Sequence, residues 1–383
     1  MNSLFECANS PCHCSVDIVN VTPGAQPKAT FKIYSEPERS LLYSYIPGSG
    51  LNLTGAAGKV YSKNILGQLC AIPEDDVSAY IAFFEQYGFL MPVSTNRYEA
   101  IEGSDIAAIV NRIKALLHLL NGITKKDYRK MLLCSAYLLY TKPVSVTVNG
   151  FDYSTCHHEF TDHVWNYRHY PDLSRDREAF NTGKHSFDDT FTGNKNAIDM
   201  AFFNAVRSGS DSGVPGTSDP LFANLFAMYT GLYAVSPETR IITDFFFHYQ
   251  TEVAVFNEIS FGHISYYGQR KTDDFTESMK KALLQVARIV VSEEINQNIT
   301  GIHPKYDTNL TPVWQVGTLL QALYFSLFYL KTGVEIYKEC KNPRCKRDKY
   351  FLVEATRTNK DYCCVQCARA AAAQRYRNKK GQK

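Results

Sequence analysis

Cys340-Lys-Asn-Pro-Arg-Cys345 and, after a spacer of seventeen residues, Cys363-Cys364-Val-Gln-Cys367 are the most informative stretch of this sequence. Two close pairs of cysteines can supply the four thiolates that tetrahedral Zn²⁺ takes in structural sites. The spacing predicts one Zn²⁺ held by four sulfurs, those of Cys340, Cys345, Cys363 and Cys367. Cys364 stands close enough to replace Cys363. Four thiolates close the coordination sphere, so the predicted role of the metal is structural.

The residues around the cysteines predict a hairpin and a helix. The spacer is long enough for a hairpin, with Tyr350-Phe-Leu-Val as one arm. Ala368–Ala373 is a run of strong helix formers, and Cys363 and Cys367 would share one side of the first helical turn. Together these elements describe a treble-clef-like zinc finger. Metal binding would supply much of its folding free energy, on the order of 10 kcal/mol.

Positive charge is concentrated in the same segment. Residues 338–383 contain fourteen Lys and Arg against four Asp and Glu, a net charge of +10, whereas the rest of the chain carries 27 basic and 34 acidic residues, a net charge of −7. Such an asymmetry suggests an anionic partner for the basic end. The predicted nucleic-acid contacts on the helix are Arg369, Arg375, Tyr376, Arg377, Lys379 and Lys380.

An ordered set of short motifs runs from Thr272 onward. It comprises Val291-Ser-Glu-Glu-Ile-Asn296, Ile302-His-Pro304, Leu319-Leu-Gln-Ala-Leu323, Cys340–Cys345, Thr358-Asn359 and Tyr362-Cys363. In these motifs the chain resembles the bacterial CGNR-type zinc-finger proteins, described as stress-related transcriptional regulators with a helical N-terminal domain. The resemblance implies DNA binding by the zinc module and sensing of a ligand or partner by the helical domain.

The resemblance is that of a divergent relative. The signature tetrapeptide of the family falls at Cys367-Ala-Arg-Ala370, where its Gly, Asn and Arg are absent in order. The second cysteine pair has three intervening residues instead of four. The zinc ligands therefore transfer better than the DNA-recognition residues. Residues 1–270 show no resemblance to a known family.

The rest of the chain is predicted to be a mainly α-helical domain with minor β structure. It covers residues 1–335, with a loop-rich insertion at 150–216, and the zinc finger occupies residues 336–383. A balance of 45% hydrophobic and 21% charged residues excludes wholesale disorder. The uncharged stretch 313–330 is at the lower limit for a membrane span and is expected to be a buried core helix. A cytoplasmic protein is expected, because no secretory signal pattern opens the sequence.

Weaker candidate sites lie in other parts of the sequence. Cys7 and Cys12 repeat the spacing of the first zinc pair, and with Cys14 they could form half of a second metal site. Its partner would come from Cys156, His157, His158 or His163. A His-rich segment could by itself suit a metal or an acid–base site. The His-rich segment contains Cys156, His157, His158, His163 and His169. Glu294 is expected on a polar helix face, since adjacent helical residues such as Glu293 and Glu294 point in different directions.

Two functions from different classes are compatible with the sequence. The first is a zinc-dependent nucleic-acid-binding protein, with DNA favoured over RNA and a protein partner or small-molecule effector on the helical domain. The second is a protein-interaction module, in which the basic helix docks on an acidic partner. An enzyme is not expected, because the sequence contains no Gly-x-Ser-x-Gly elbow, no His-Glu-x-x-His motif and no glycine-rich phosphate loop.

Overall fold

The computed structural model describes most of the chain, in ten segments. These are residues 4–19, 28–55, 59–166, 215–230, 235–306, 308, 310–331, 333–345, 349–357 and 359–380. The chain divides into two compact units. Unit 1 contains residues 1–125, 144–155 and 295–383, and unit 2 contains residues 126–143 and 156–294.

The described residues form fifteen strands and ten helices. The strands are β1 (Phe5–Asn9), β2 (Cys12–Val19), β3 (Lys28–Ser35), β4 (Leu41–Ile46), β5 (Gly50–Thr54), β6 (Val60–Ser62), β7 (Glu99–Glu102), β8 (Ser145–Val148), β9 (Phe151–Ser154), β10 (Phe256–Ser260), β11 (His263–Tyr266), β12 (His303–Tyr306), β13 (Pro312–Gln315), β14 (Glu335–Glu339) and β15 (Tyr350–Glu354). The helices are α1 (Ile65–Cys70), α2 (Val77–Tyr87), α3 (Gly103–Lys125), α4 (Tyr128–Tyr140), α5 (Glu159–Asn166), α6 (Pro220–Thr230), α7 (Pro237–Glu252), α8 (Glu277–Asn298), α9 (Leu319–Phe328) and α10 (Val365–Lys380).

Unit 1 is built on β-sheets. A six-stranded sheet has the order β12-β13-β1-β4-β5-β6, in which β1 runs parallel to β13 and every other pair is antiparallel. Strands β2, β3 and β7 form a second sheet, and β8–β9 and β14–β15 are hairpins. Unit 1 therefore joins strands from both ends of the sequence into one core.

Helix α3 is the central helix of unit 1. Within the described residues it is the one helix long and apolar enough to cross a membrane, but 78% of its apolar window is buried inside the protein. Burial on this scale is typical of a core helix in a globular unit. The stretch 313–330, expected to be one buried helix, instead divides into β13 and the ten-residue α9.

The described part of unit 2 is mainly helical and contains the hairpin β10–β11. Its core contains a group of aromatic rings around Tyr140, whose centroid lies 5.3 Å from those of Phe160 and Phe246 and 5.7 Å from that of Phe256. Edge-to-face packing of this kind favours aromatic pairs. The excess of Tyr and Phe in the sequence thus serves packing in this unit.

The prediction of a mainly α fold is wrong. Of the described residues, 44% are helical and 24% lie in strands, so the fold is mixed α/β. Most of the missed strands have three to five residues, too few to show a clear alternation. The N-terminal segment contains β1 and β2. The predicted insertion at 150–216 begins with β9 and α5, and its residues 167–214 lie outside the described part of the chain.

Candidate metal centre

The four predicted zinc ligands converge at one end of the β14–β15 hairpin. Cys340 directly follows β14, Cys345 closes the turn after it, and Cys363 and Cys367 lie at the start of α10. One Sγ atom from each residue lies within 4.8 Å of the other three. The Sγ of Cys363 is 3.6 Å from that of Cys345 and 3.5 Å from that of Cys367, and Cys345 and Cys367 are 3.6 Å apart.

These distances fit a shared metal ion. A disulfide would bring two sulfurs to about 2.05 Å, whereas none of the four cysteines forms a disulfide. A tetrahedron with Zn–S bonds of about 2.3 Å has edges of about 3.8 Å, close to the observed separations. The four cysteines therefore form a group that can bind a metal such as zinc, as the spacing predicted.

Asn342 organises the turn between the first two cysteines. Its backbone carbonyl accepts the Cys345 N–H at 3.0 Å, and its side-chain Oδ1 accepts the Arg344 N–H at 3.2 Å. Burial disfavours ionisation of Cys340, but hydrogen bonds from the backbone of Cys363 and Asn342 lower the pKa of its thiol below the ordinary value. Thiolate is the form that binds metal, so these hydrogen bonds favour the metal-binding form of Cys340. Asn342 was not among the predicted site residues, although an Asn-Pro pair is a recognisable turn signal.

A small apolar cluster supports the ligands. Its buried members are Ile336, Cys340, Phe351, Val353 and Cys367. Tyr350–Val353 is an arm of a hairpin, as predicted, but its partner β14 precedes Cys340 and does not lie within the spacer. The cysteine pair Cys340–Cys345 thus sits in the connection between the two strands.

The outer edge of β14 is bound to the core of unit 1. The side chain of Asn121 in α3 donates to the carbonyl of Tyr337 at 2.8 Å and accepts its N–H at 3.0 Å. The side chain of Asn64 donates to the carbonyl of Tyr350 at the start of β15. The side chains of these asparagines therefore make the hydrogen bonds that a neighbouring strand would make. No periodic pattern in the sequence predicts this arrangement. The predicted domain boundary at 335/336 stays a prediction.

Helix α10 exposes the predicted nucleic-acid contacts. Cys367 and Ala371 are buried, whereas Arg369, Arg375, Arg377 and Tyr376 are exposed. Within the part of the chain that the structure describes, no carboxylate pairs with any of the three arginines; Arg375 contacts the Tyr362 hydroxyl at 3.5 Å. The helix itself contains no acidic residue. The side chains of Lys379 and Lys380 lie outside the described residues.

The N-terminal cysteines have separate surroundings. Cys7 and Cys12 are buried, and burial raises the thiol pKa to about 12 for Cys7 and about 11 for Cys12. Cys12 accepts the backbone N–H of Phe89 at 3.3 Å. Among the described residues, these cysteines and Cys14 form no metal-ligating group of three.

The His-rich segment brings one of its histidines into contact with two glutamates. The imidazole of His158 is fully buried, with Nδ1 2.5 Å from Oε2 of Glu293 and Nε2 3.1 Å from Oε1 of Glu294. The prediction that Glu294 lies on a polar helix face is wrong, because its side chain is 0% exposed. His157 faces Asp162 at 3.7 Å and His163 faces Glu159 at 3.8 Å. His169 lies outside the described residues.

Comparison with models of protein families, with curated proteins and with solved structures gives no match to this chain. The function of this protein therefore has to follow from the chemistry of the four cysteines and of helix α10.

Proposed function

We propose that this protein binds nucleic acid in a zinc-dependent manner. In this proposal it is a cytoplasmic protein that binds DNA and regulates transcription. The observation that supports this proposal is the exposure of Arg369, Arg375 and Arg377 on a helix that carries Cys367 in its first turn and begins two residues after Cys363. Each arginine is without a carboxylate partner in the described residues, so its guanidinium is available to an anion.

The metal supports this role by fixing the helix. Zn²⁺ is the ion that best matches four thiolates at tetrahedral separations. Residues Cys363 and Cys367 would tie the start of α10 to the β14–β15 hairpin, which Asn121 holds against α3. The exposed cations would thereby keep a fixed orientation. At 1.5 Å per residue, the sixteen residues of α10 extend about 24 Å, a length that suits a DNA groove.

Salt dependence tests the proposal. Each phosphate contact lowers the slope of log K against log[salt] by about 0.9, so the five predicted cations of the helix give a slope of about −4 to −5 on double-stranded DNA. Replacing Arg369, Arg375 and Arg377 by alanine should make the slope about 3 less negative. Fluorescence anisotropy with a labelled duplex, at several salt concentrations, measures both values.

A matched control replaces three exposed lysines outside α10 by alanine, namely Lys28, Lys59 and Lys305. This control should leave the slope almost unchanged. Equal slopes for the arginine variant and the wild type would contradict the proposal. Absence of binding to DNA or RNA at low salt, together with recovery of a protein partner through α10, would favour the interaction module instead.

A further inference from the structure

Unit 2 contains its own group of metal-ligating side chains. The Sγ of Cys156, a ring nitrogen of His158 and a carboxylate oxygen of Glu294 lie within 4.8 Å of one another. All three residues are buried, with exposed fractions of 1% for Cys156, 1% for His158 and 0% for Glu294. Burying an ionised carboxylate is costly unless a counter-charge is held beside it. The group therefore calls for a positive partner.

The orientation of His158 suits a metal ligand. A histidine that binds a metal through one nitrogen commonly donates the other N–H to a carboxylate, which fixes the ring and its tautomer. Oε2 of Glu293 lies 2.5 Å from Nδ1 of His158, where it can accept this N–H. Nε2 then points to the side of the ring where Oε1 of Glu294 lies, 3.1 Å away.

Burial lowers the pKa of the His158 imidazole, but contacts with Cys156, Glu293 and Glu294 raise it above its ordinary value, so a protonated His158 between two carboxylates is the alternative. An imidazolium has two N–H donors, and here both would be directed to Glu293 and Glu294. The side chain of Cys156 nevertheless interacts with the same ring. A cation shared by sulfur, nitrogen and oxygen explains why all three converge. Thiolate, imidazole and carboxylate are the three donor types that Zn²⁺ accepts.

We propose that Cys156, His158 and Glu294 hold a second Zn²⁺ in unit 2, with Glu293 as the residue that positions His158. The ligands come from the two ends of the segment 156–294, since Cys156 opens it and Glu294 closes it. The ion therefore joins the two ends of the segment 156–294, and closing so long a loop has an entropic cost. Three protein ligands leave the fourth position of a tetrahedral ion to a further donor such as water. Because the three ligands are buried and come from distant residues, the ion would act as a staple of unit 2.

Metal content of the full-length protein tests the proposal. Plasma mass spectrometry should find two zinc ions per chain in the wild type, and one in Cys156→Ser and in Glu294→Gln. Glu294→Gln keeps the shape of the side chain, so it tests the site even where Cys156→Ser fails to fold. Cys134→Ser is the matched control, because Cys134 is a buried cysteine of unit 2 outside the group, and it should retain both ions.

The variant Cys345→Ser separates this proposal from the zinc finger. It should also lose one ion, and the double variant Cys345→Ser/Glu294→Gln should lose both. One ion in the wild type that disappears in Cys345→Ser and persists in Glu294→Gln would overturn the second site and leave the finger intact. One ion that disappears only in Glu294→Gln would support the second site and refute the finger.

Discussion

Replacing Cys363 by serine should remove the metal ion from the C-terminal centre, whereas the same replacement at Cys364 should leave the ion in place. The Sγ of Cys363 lies 3.5–3.6 Å from two other ligands, and Cys363 is the member that completes the group of four. The Sγ of Cys364 lies 3.8 Å from that of Cys363 and its side chain also contacts Cys367, but Cys364 is not in the group of four. Structural zinc contributes on the order of 10 kcal/mol to folding, so the loss should unfold the module that holds it.

Three measurements on this pair of variants give the expected contrast. Metal analysis should show one ion fewer for Cys363→Ser. Far-UV circular dichroism should show less helix, because α10 loses its anchor, and limited proteolysis should cut within residues 335–380. Cys364→Ser should match the wild type in each measurement. Equal metal loss from both variants would show that Cys364 is a ligand and that the proposed set is wrong.

Asn121→Ala should lower the free energy of unfolding by about 3 kcal/mol. The substitution leaves the N–H and the C=O of Tyr337 without their partner, and each unsatisfied buried group costs roughly 1–3 kcal/mol. Tyr337 and Asn121 are only 4% and 5% exposed, so water cannot readily replace the side chain. Urea denaturation of the full-length, metal-loaded protein measures the change at constant m value.

Asn111→Ala is the control for this prediction. Asn111 lies on the same helix and is also buried, but one side-chain hydrogen bond joins it to Glu74 at 2.8 Å. It should cost clearly less than Asn121→Ala. The reverse order would mean that the bond between α3 and β14 contributes little to stability.

The metal centre was predictable because its chemistry is local. Two cysteine pairs specify four ligands, and helix formers after Cys367 specify α10, without knowledge of the rest of the fold. Helix α2 is specified just as locally, since the side chain of Asp76 caps its start and Gly88 ends it. The choice between Cys363 and Cys364 was not predictable, because neighbouring residues differ only in the direction of their side chains.

The sheets were not predictable because their partners are distant in sequence. Strand β1 pairs with β13 through Glu6 and Gln315, and no local pattern marks that contact. Strands β3 and β4 follow each other in the sequence, but each pairs in a different sheet and not with the other. The burial of Glu294 was missed for a related reason, since His158 reaches it from a remote segment.

The order in which the chain is made has a consequence for its assembly. Every residue of unit 2 is synthesised before residue 295, so that unit can fold while the ribosome is still at work. Folding of unit 1 must wait for strands that are synthesised after unit 2. These are β13, which pairs with β1, and β14, which Asn121 contacts. Growing chains therefore expose unpaired strand edges, a state in which chaperones commonly protect nascent proteins.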